Sequence, residues 1–165
     1  MPTIEAKDVP KRVEQIIDNK EQRVDEQLLP PGKYEITPES KFKIEFWLKK
    51  VDDRWVFAQK GRDAIKEEVT FRMWTYDEMI DIRRKANSYD QLKRMYWVDV
   101  DMMNRMKVQK LLTSWTLDRE NPRLKIHHVG GVMTDESWKV FTRLQPNISR
   151  YIIDKANEIL EYNGA

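Results

Sequence analysis

The sequence predicts an α+β chain: a small antiparallel sheet followed by a mostly helical C-terminal domain, with an N-terminal helical arm in front. Three observations predict it. Residues 41–48 alternate, with Phe42, Ile44, Phe46 and Leu48 on one side and Lys41, Lys43 and Glu45 on the other, the period of a half-buried strand. Pro30-Pro31-Gly32 firmly stops the helical spacing that precedes it. Helix-opening signatures at Thr75, Ser88 and Thr134 crowd the second half. The chain divides accordingly into a charged helical arm (1–29), a β section (33–74) and a helical domain (75–165).

In the arm, Val13, Ile16, Ile17, Val24 and Leu28 fall on one side of a helix. The rest of residues 11–27 is almost wholly charged or amide. So narrow a stripe cannot hold an isolated helix and needs a groove or a partner helix. In the β section, Phe42, Ile44, Phe46 and Leu48 face one way and Lys41, Lys43 and Glu45 the other. Asp52-Asp53 turns the chain and Trp55-Val56-Phe57 returns as a second strand. Gly61 breaks it. Val69, Phe71 and Met73 form the apolar face of a third strand, and residues 34–36 are read as an added edge strand.

Thr75-Tyr76-Asp77-Glu78 is a capping box: the hydroxyl accepts from the amide three residues on, and Glu78 reaches back to the cap amide. It opens a helix with Met79, Ile82 and Ala86 inward. Ser88-Tyr89-Asp90-Gln91 repeats the signature and predicts a second helix, with Leu92, Met95 and Tyr96 inward. Residues 98–117 predict a long helix, with a break near Asp99, which can itself cap. Residues 118–122 read as a loop and 124–129 as a short extended segment closed by Gly130-Gly131. Thr134 opens a helix with Trp138, Phe141 and Leu144 inward. Pro146 suits a first helical turn, and the last helix carries Ile148, Ile152, Ala156, Ile159 and Leu160 to its end at Asn163-Gly164.

Composition narrows the function classes. The 165 residues are 40% hydrophobic and 35% charged, with six tryptophans, six tyrosines and five phenylalanines, which argues against disorder. There is no cysteine, so no disulfide scaffold. No apolar run approaches the roughly 20 residues of a membrane helix, and the first residues lack the apolar stretch of a secretory signal. The expectation is a soluble protein kept in the cytoplasm or in something assembled there. The net charge is only +2, but residues 1–28 hold five basic and seven acidic side chains, whereas 83–110 hold eight basic and three acidic. That asymmetry suits an acidic partner surface or a phosphate backbone; its plainer reading is a solvated helix face.

Few residues point to catalysis, and the expectation is no enzyme and no cofactor. His127 and His128 are adjacent, so on a strand they point to opposite faces and do not grip one metal together. Asp99 and Asp101 are the best carboxylate pair, but capping and the helix dipole explain both. An enzyme would have to act through these acids and one of the histidines. Gly130-Gly131 lacks the lysine and spaced glycines of a phosphate loop. Arg83, Arg84, Lys85, Lys93 and Arg94, with Tyr89, Tyr96 and Trp97, mix phosphate-binding and base-stacking types, and so define an alternative nucleic-acid surface. Met102, Met103 and Met106 on one predicted helix form an adaptable surface for a protein partner, or else soft core packing. With Val13, Ile16 and Ile17 of the arm they make the candidate partner-binding set.

The run Glu68-Val69-Thr70-Phe71-Arg72-Met73-Trp74-Thr75-Tyr76-Asp77-Glu78-Met79 resembles the tail assembly chaperones and related small tail proteins of tailed bacteriophages, in which a strand with an arginine leads into a threonine-capped helix carrying an acid. Residues 108–120, with Leu112-Thr113-Ser114-Trp115 and the following Glu120-Asn121-Pro122, are also similar, as are Thr134 to Trp138 and the closing segment 148–162. The likeness spans residues 68–162. It implies a non-enzymatic role in the host cytoplasm or the virion: holding the tape-measure protein, helping tube subunits add, or standing in the baseplate. Its partners would be tail proteins, with the arm offering a route to a homo-oligomer.

Overall fold

The computed structural model describes residues 34–162. The compact unit from Pro38 onward is α+β. Strands β1 (Lys41–Val51), β2 (Arg54–Ala58) and β3 (Ile65–Arg72) lead into helix α1 (Tyr76–Ala86). A hairpin of β4 (Asn87–Asp90) and β5 (Met95–Val98) follows. Next come α2 (Val100–Leu111), β6 (Leu112–Trp115) and a 3-10 turn at Pro122–Leu124. The small hairpin of β7 (His128–Val129) and β8 (Val132–Met133) precedes α3 (Asp135–Thr142) and α4 (Pro146–Leu160).

The sheet is antiparallel in the order β2-β1-β3-β6. The alternation of β1 sets its inner face: Ile44, Phe46 and Leu48 are buried, and Phe42 stacks on Phe71 of β3 at 5.5 Å. The other face carries a charge ladder in which Lys43 meets Glu68 and Lys66 meets both Glu45 and Glu68. Helix α4 packs its stripe of Ile148, Ile152, Ala156 and Leu160 into the core, while Tyr151 meets Phe46 and Phe57 edge-on and tilted. Phe141 of α3 stacks between Trp138 and Trp115. Val108 and Leu111 of α2 and Ile82 of α1 complete the core.

Two turns follow from backbone chemistry. Asp52 and Asp53 have φ of 51° and 65°, and Gly130 and Gly131 have 60° and 81°. Positive φ at both central residues is the turn whose twist matches a two-residue hairpin, and Asp and Gly are the residues that tolerate it.

Several expectations are corrected. Residues 34–36 form no strand; the fourth strand is β6, cut from the predicted 98–117 helix. Asp99 caps α2 through the Met102 N–H at 3.0 Å, and the helix ends at Leu111. Leu112 and Trp115 then serve the sheet, and Thr113 bonds the Thr70 carbonyl where the register shifts. The helix predicted from Ser88 is instead the β4–β5 hairpin. Ile159, expected inward on α4, is exposed. The last helix closes at Leu160 with Glu161 as its cap, ahead of the predicted end at Asn163-Gly164, and the arm with Val13, Ile16 and Ile17 lies outside the described residues. Among the described residues no helix is long and apolar enough to cross a membrane.

Candidate interaction surface

The β4–β5 hairpin gathers several exposed apolar side chains in one short segment. Asp90 decides its turn: its carboxylate accepts from the N–H groups of Leu92 (2.9 Å) and Lys93 (3.1 Å), an Asx arrangement that competes with a helix start. Arg94 then adopts φ of 52°, which no helix contains. The strands pair with Tyr89 opposite Tyr96, rings 4.9 Å apart and edge-to-face. Leu92 at the tip is 96% exposed and Tyr96 is 74% exposed. Met95, Trp97 and Val98 are exposed too, and the strip continues through Val100 and Met102 at the start of α2. Leu92, Met95 and Tyr96, predicted inward, therefore face solvent.

The hairpin's phase is set at its base. The Asp99 N–H donates to the Ala86 carbonyl at 2.8 Å. Bonded and non-bonded pairs alternate in an antiparallel ladder. Trp97 and Met95 thus turn their backbone groups toward β4, and Tyr96 and Val98 turn theirs to the outer edge.

The structure separates the predicted site residues. Of the three methionines, Met102 is exposed, whereas Met103 and Met106 are half-buried against the core. Of the five cations, Arg83 pairs with Glu161 and lies over the Trp74 ring, and Lys85 pairs with Asp81 at 3.1 Å. Arg84, Lys93 and Arg94 make no side-chain hydrogen bond or ion pair among the described residues. His128 Nε2 donates to the Leu112 carbonyl at 2.7 Å, while the His127 N–H donates to the Ser137 hydroxyl. Among the described residues no group of three or more His, Asp or Glu is placed to hold a metal ion.

Beside this surface, ion pairs fix the helices. Arg72 grips Glu78 with two parallel bonds of 2.9 and 2.6 Å, and Glu78 also accepts from the Thr75 N–H at 3.0 Å. The Glu78 N–H returns a bond to the Thr75 hydroxyl, completing the capping box. Chiefly through the Arg72 hydrogen bond, the Glu78 carboxyl is held down at about 2. Lys107 is buried, a placement its sequence neighbourhood does not reveal. Its ammonium donates to Asn157 at 2.7 Å and Glu161 at 2.8 Å and sits over Trp74. Burial works to raise the Glu161 pKa, but hydrogen bonds from Lys107 and Arg83 outweigh it and the net direction is down.

Among the clefts on the surface, two border the core elements described above. One of about 410 Å³ is lined by Leu48, Trp55, Leu117, Leu124 and Ile148, with Arg119 bonded to Glu67 at its rim. The other, about 470 Å³, lies between α1, α2 and β8, and its acids Asp81 and Asp135 are already paired. Comparison with family models, with curated proteins and with solved structures finds no match for this chain.

Proposed function

We propose that this chain is a non-enzymatic tail-assembly protein of a tailed bacteriophage, a tail assembly chaperone or a small tail or baseplate component. It acts through protein–protein contact in the host cytoplasm or in the virion. The observation that carries the contact reading is the exposed apolar strip from Leu92 through Val98 to Met102. Exposed apolar side chains gathered on one hairpin and the helix start after it support an interaction site, and their aromatic and methionine content is what interfaces favour. The phage assignment is supported by the resemblance over residues 68–162. Its arginine, threonine cap and acid are the residues Arg72, Thr75 and Glu78 that bond one another here. Burying the strip would contribute about 25 cal/mol per Å² of apolar area, less the cost of ordering both partners.

Co-expression with the tape-measure and tube proteins of the same particle tests the proposal. The wild-type chain is expected to co-purify with one of them, and Leu92→Ser with Met102→Ser to lose it while the fold remains. Retention of the partner by that variant would remove this surface from the reading.

A nucleic-acid module is the second reading, favoured by Tyr89, Tyr96 and Trp97 standing exposed on the hairpin whose turn carries Lys93 and Arg94. It requires binding to single strands that falls steeply with salt; a flat salt response rejects it.

A further inference from the structure

We propose that β5 pairs edge to edge with β5 of a second copy of this chain, antiparallel and centred on Tyr96, so that two hairpins become one four-stranded sheet across a two-fold axis. Three observations lead there. First, the edge is open: among the described residues β5 pairs only with β4, and Tyr96 and Val98 present their N–H and C=O groups outward. An unpaired, uncharged, Pro-free edge is a template for another strand. Second, Met95-Tyr96-Trp97-Val98 is rich in strand-favouring residues, whereas Asn87-Ser88-Tyr89-Asp90 on the opposite edge is poor in them. Pairing therefore goes to β5.

Third, the charges are self-complementary. Lys93 and Arg94 stand before the apolar run, Asp99 and Asp101 after it. Reversing one copy against the other brings cations to acids; a parallel arrangement would set like charges together. The ladder also restricts the register, because outward-facing residues meet only outward-facing ones. Tyr96 then meets the partner's Tyr96, Arg94 meets the partner's Val98, and Lys93 lies beside the partner's Asp99. Such a contact is isologous and closes on itself.

Edge pairing consumes backbone groups and leaves both ribbon faces free. Tyr89 and Tyr96 on one and Met95 and Trp97 on the other would be doubled into a broader sheet for the tail partner. The inference rests on reading this hairpin as a contact surface, but its test uses the purified chain alone, so its failure and that of the tail reading are separate results.

Sedimentation of the full chain up to about 100 µM should show a concentration-dependent dimer. Lys93→Glu with Arg94→Glu should raise its dissociation constant at least about tenfold, because attraction becomes repulsion at both ends. The chain has no cysteine, so Tyr96→Cys on mild oxidation should give a covalent dimer, since strand partners at the axis lie within disulfide reach. Leu92→Cys, more exposed but far from the axis, should not. A monomer throughout, a dimer indifferent to charge reversal, or equal cross-linking at both positions would overturn the proposal. Should Tyr96→Cys not fold by circular dichroism, wild-type sedimentation and the tip charge reversal decide it.

Discussion

The four-stranded sheet and the β4–β5 hairpin meet water in opposite ways. Both outer strands of the sheet have side chains bonded to their backbone. Gln145 lies against β2 like a short extra strand: its Oε1 accepts from the Trp55 N–H at 3.0 Å and its Nε2 donates to the Trp55 carbonyl at 2.9 Å. At the other end His128 occupies the Leu112 carbonyl of β6. Among the described residues no side chain bonds the outer edge of β5, and the hairpin strands expose the rings of Tyr89, Tyr96 and Trp97. Proteins usually blunt their edges. This chain bonds side chains to both outer strands of the sheet and leaves the edge of the hairpin, residues 87–98, without one among the described residues.

The contrast predicts a steep gradient in what substitutions cost. Phe71→Ala, at a fully buried position stacked on Phe42, should lose about 3–5 kcal/mol of stability by urea denaturation. A loss under about 1 kcal/mol there would mean the sheet is not the stable half.

Arg72→Ala should cost on the order of 1–2 kcal/mol near neutral pH, after allowance for solvent screening. It should also change the acid limb. Glu78 is held at about 2 against an ordinary 4.5. Its folded value is depressed, so the stability it contributes is present above about 4.5 and is lost as pH falls toward about 2. Denaturation across that window should show a shallower slope in the variant than in the parent.

Gln145→Ala should cost about 1 kcal/mol by freeing the Trp55 N–H of β2 and leaving its carbonyl only the longer bond from Asn147, and should raise light scattering on concentration, because it opens more of that edge. Tyr96→Ala should lie within about 0.5 kcal/mol of the parent and yet weaken association. If instead it destabilises as much as Gln145→Ala, the ribbon packs on the body more than its exposure implies.

How legible each region was follows the same division. The alternation of Phe42, Ile44, Phe46 and Leu48 and the box of Thr75 and Glu78 state their structures locally, and tertiary packing agrees with them. At Ser88 the local signals conflict: a Ser-to-Gln spacing favours a helix start, while Asp90 offers a turn and four successive apolar residues, 95–98, break the helical period. The turn prevailed, so Leu92 and Tyr96 moved from predicted core to surface. Strand β6 was hidden for a different reason. Leu112 to Trp115 reads well as a continuing helix, and only the vacant edge of β3, far away in sequence, makes it a strand. The burial of Lys107 depends on Trp74, Asn157 and Glu161, none of them near it in the chain. The division of the methionines followed from where α2 begins, since its phase sends Met103 and Met106 toward the core and leaves Met102 outside.

The clamp on Glu161 has a consequence for the order of events during synthesis. Arg83 and Lys107 stand 78 and 54 residues ahead of the carboxylate that neutralises them. While the ribosome is still making the intervening chain, the place Lys107 will occupy between α1, α2 and α4 lacks its counter-charge, and a lone buried ammonium is strongly disfavoured. Burial of the Lys107 ammonium is therefore expected to follow the emergence of residue 161. A chain stalled short of that residue is expected to leave Lys107 solvated and its seat beside Trp74 unfilled.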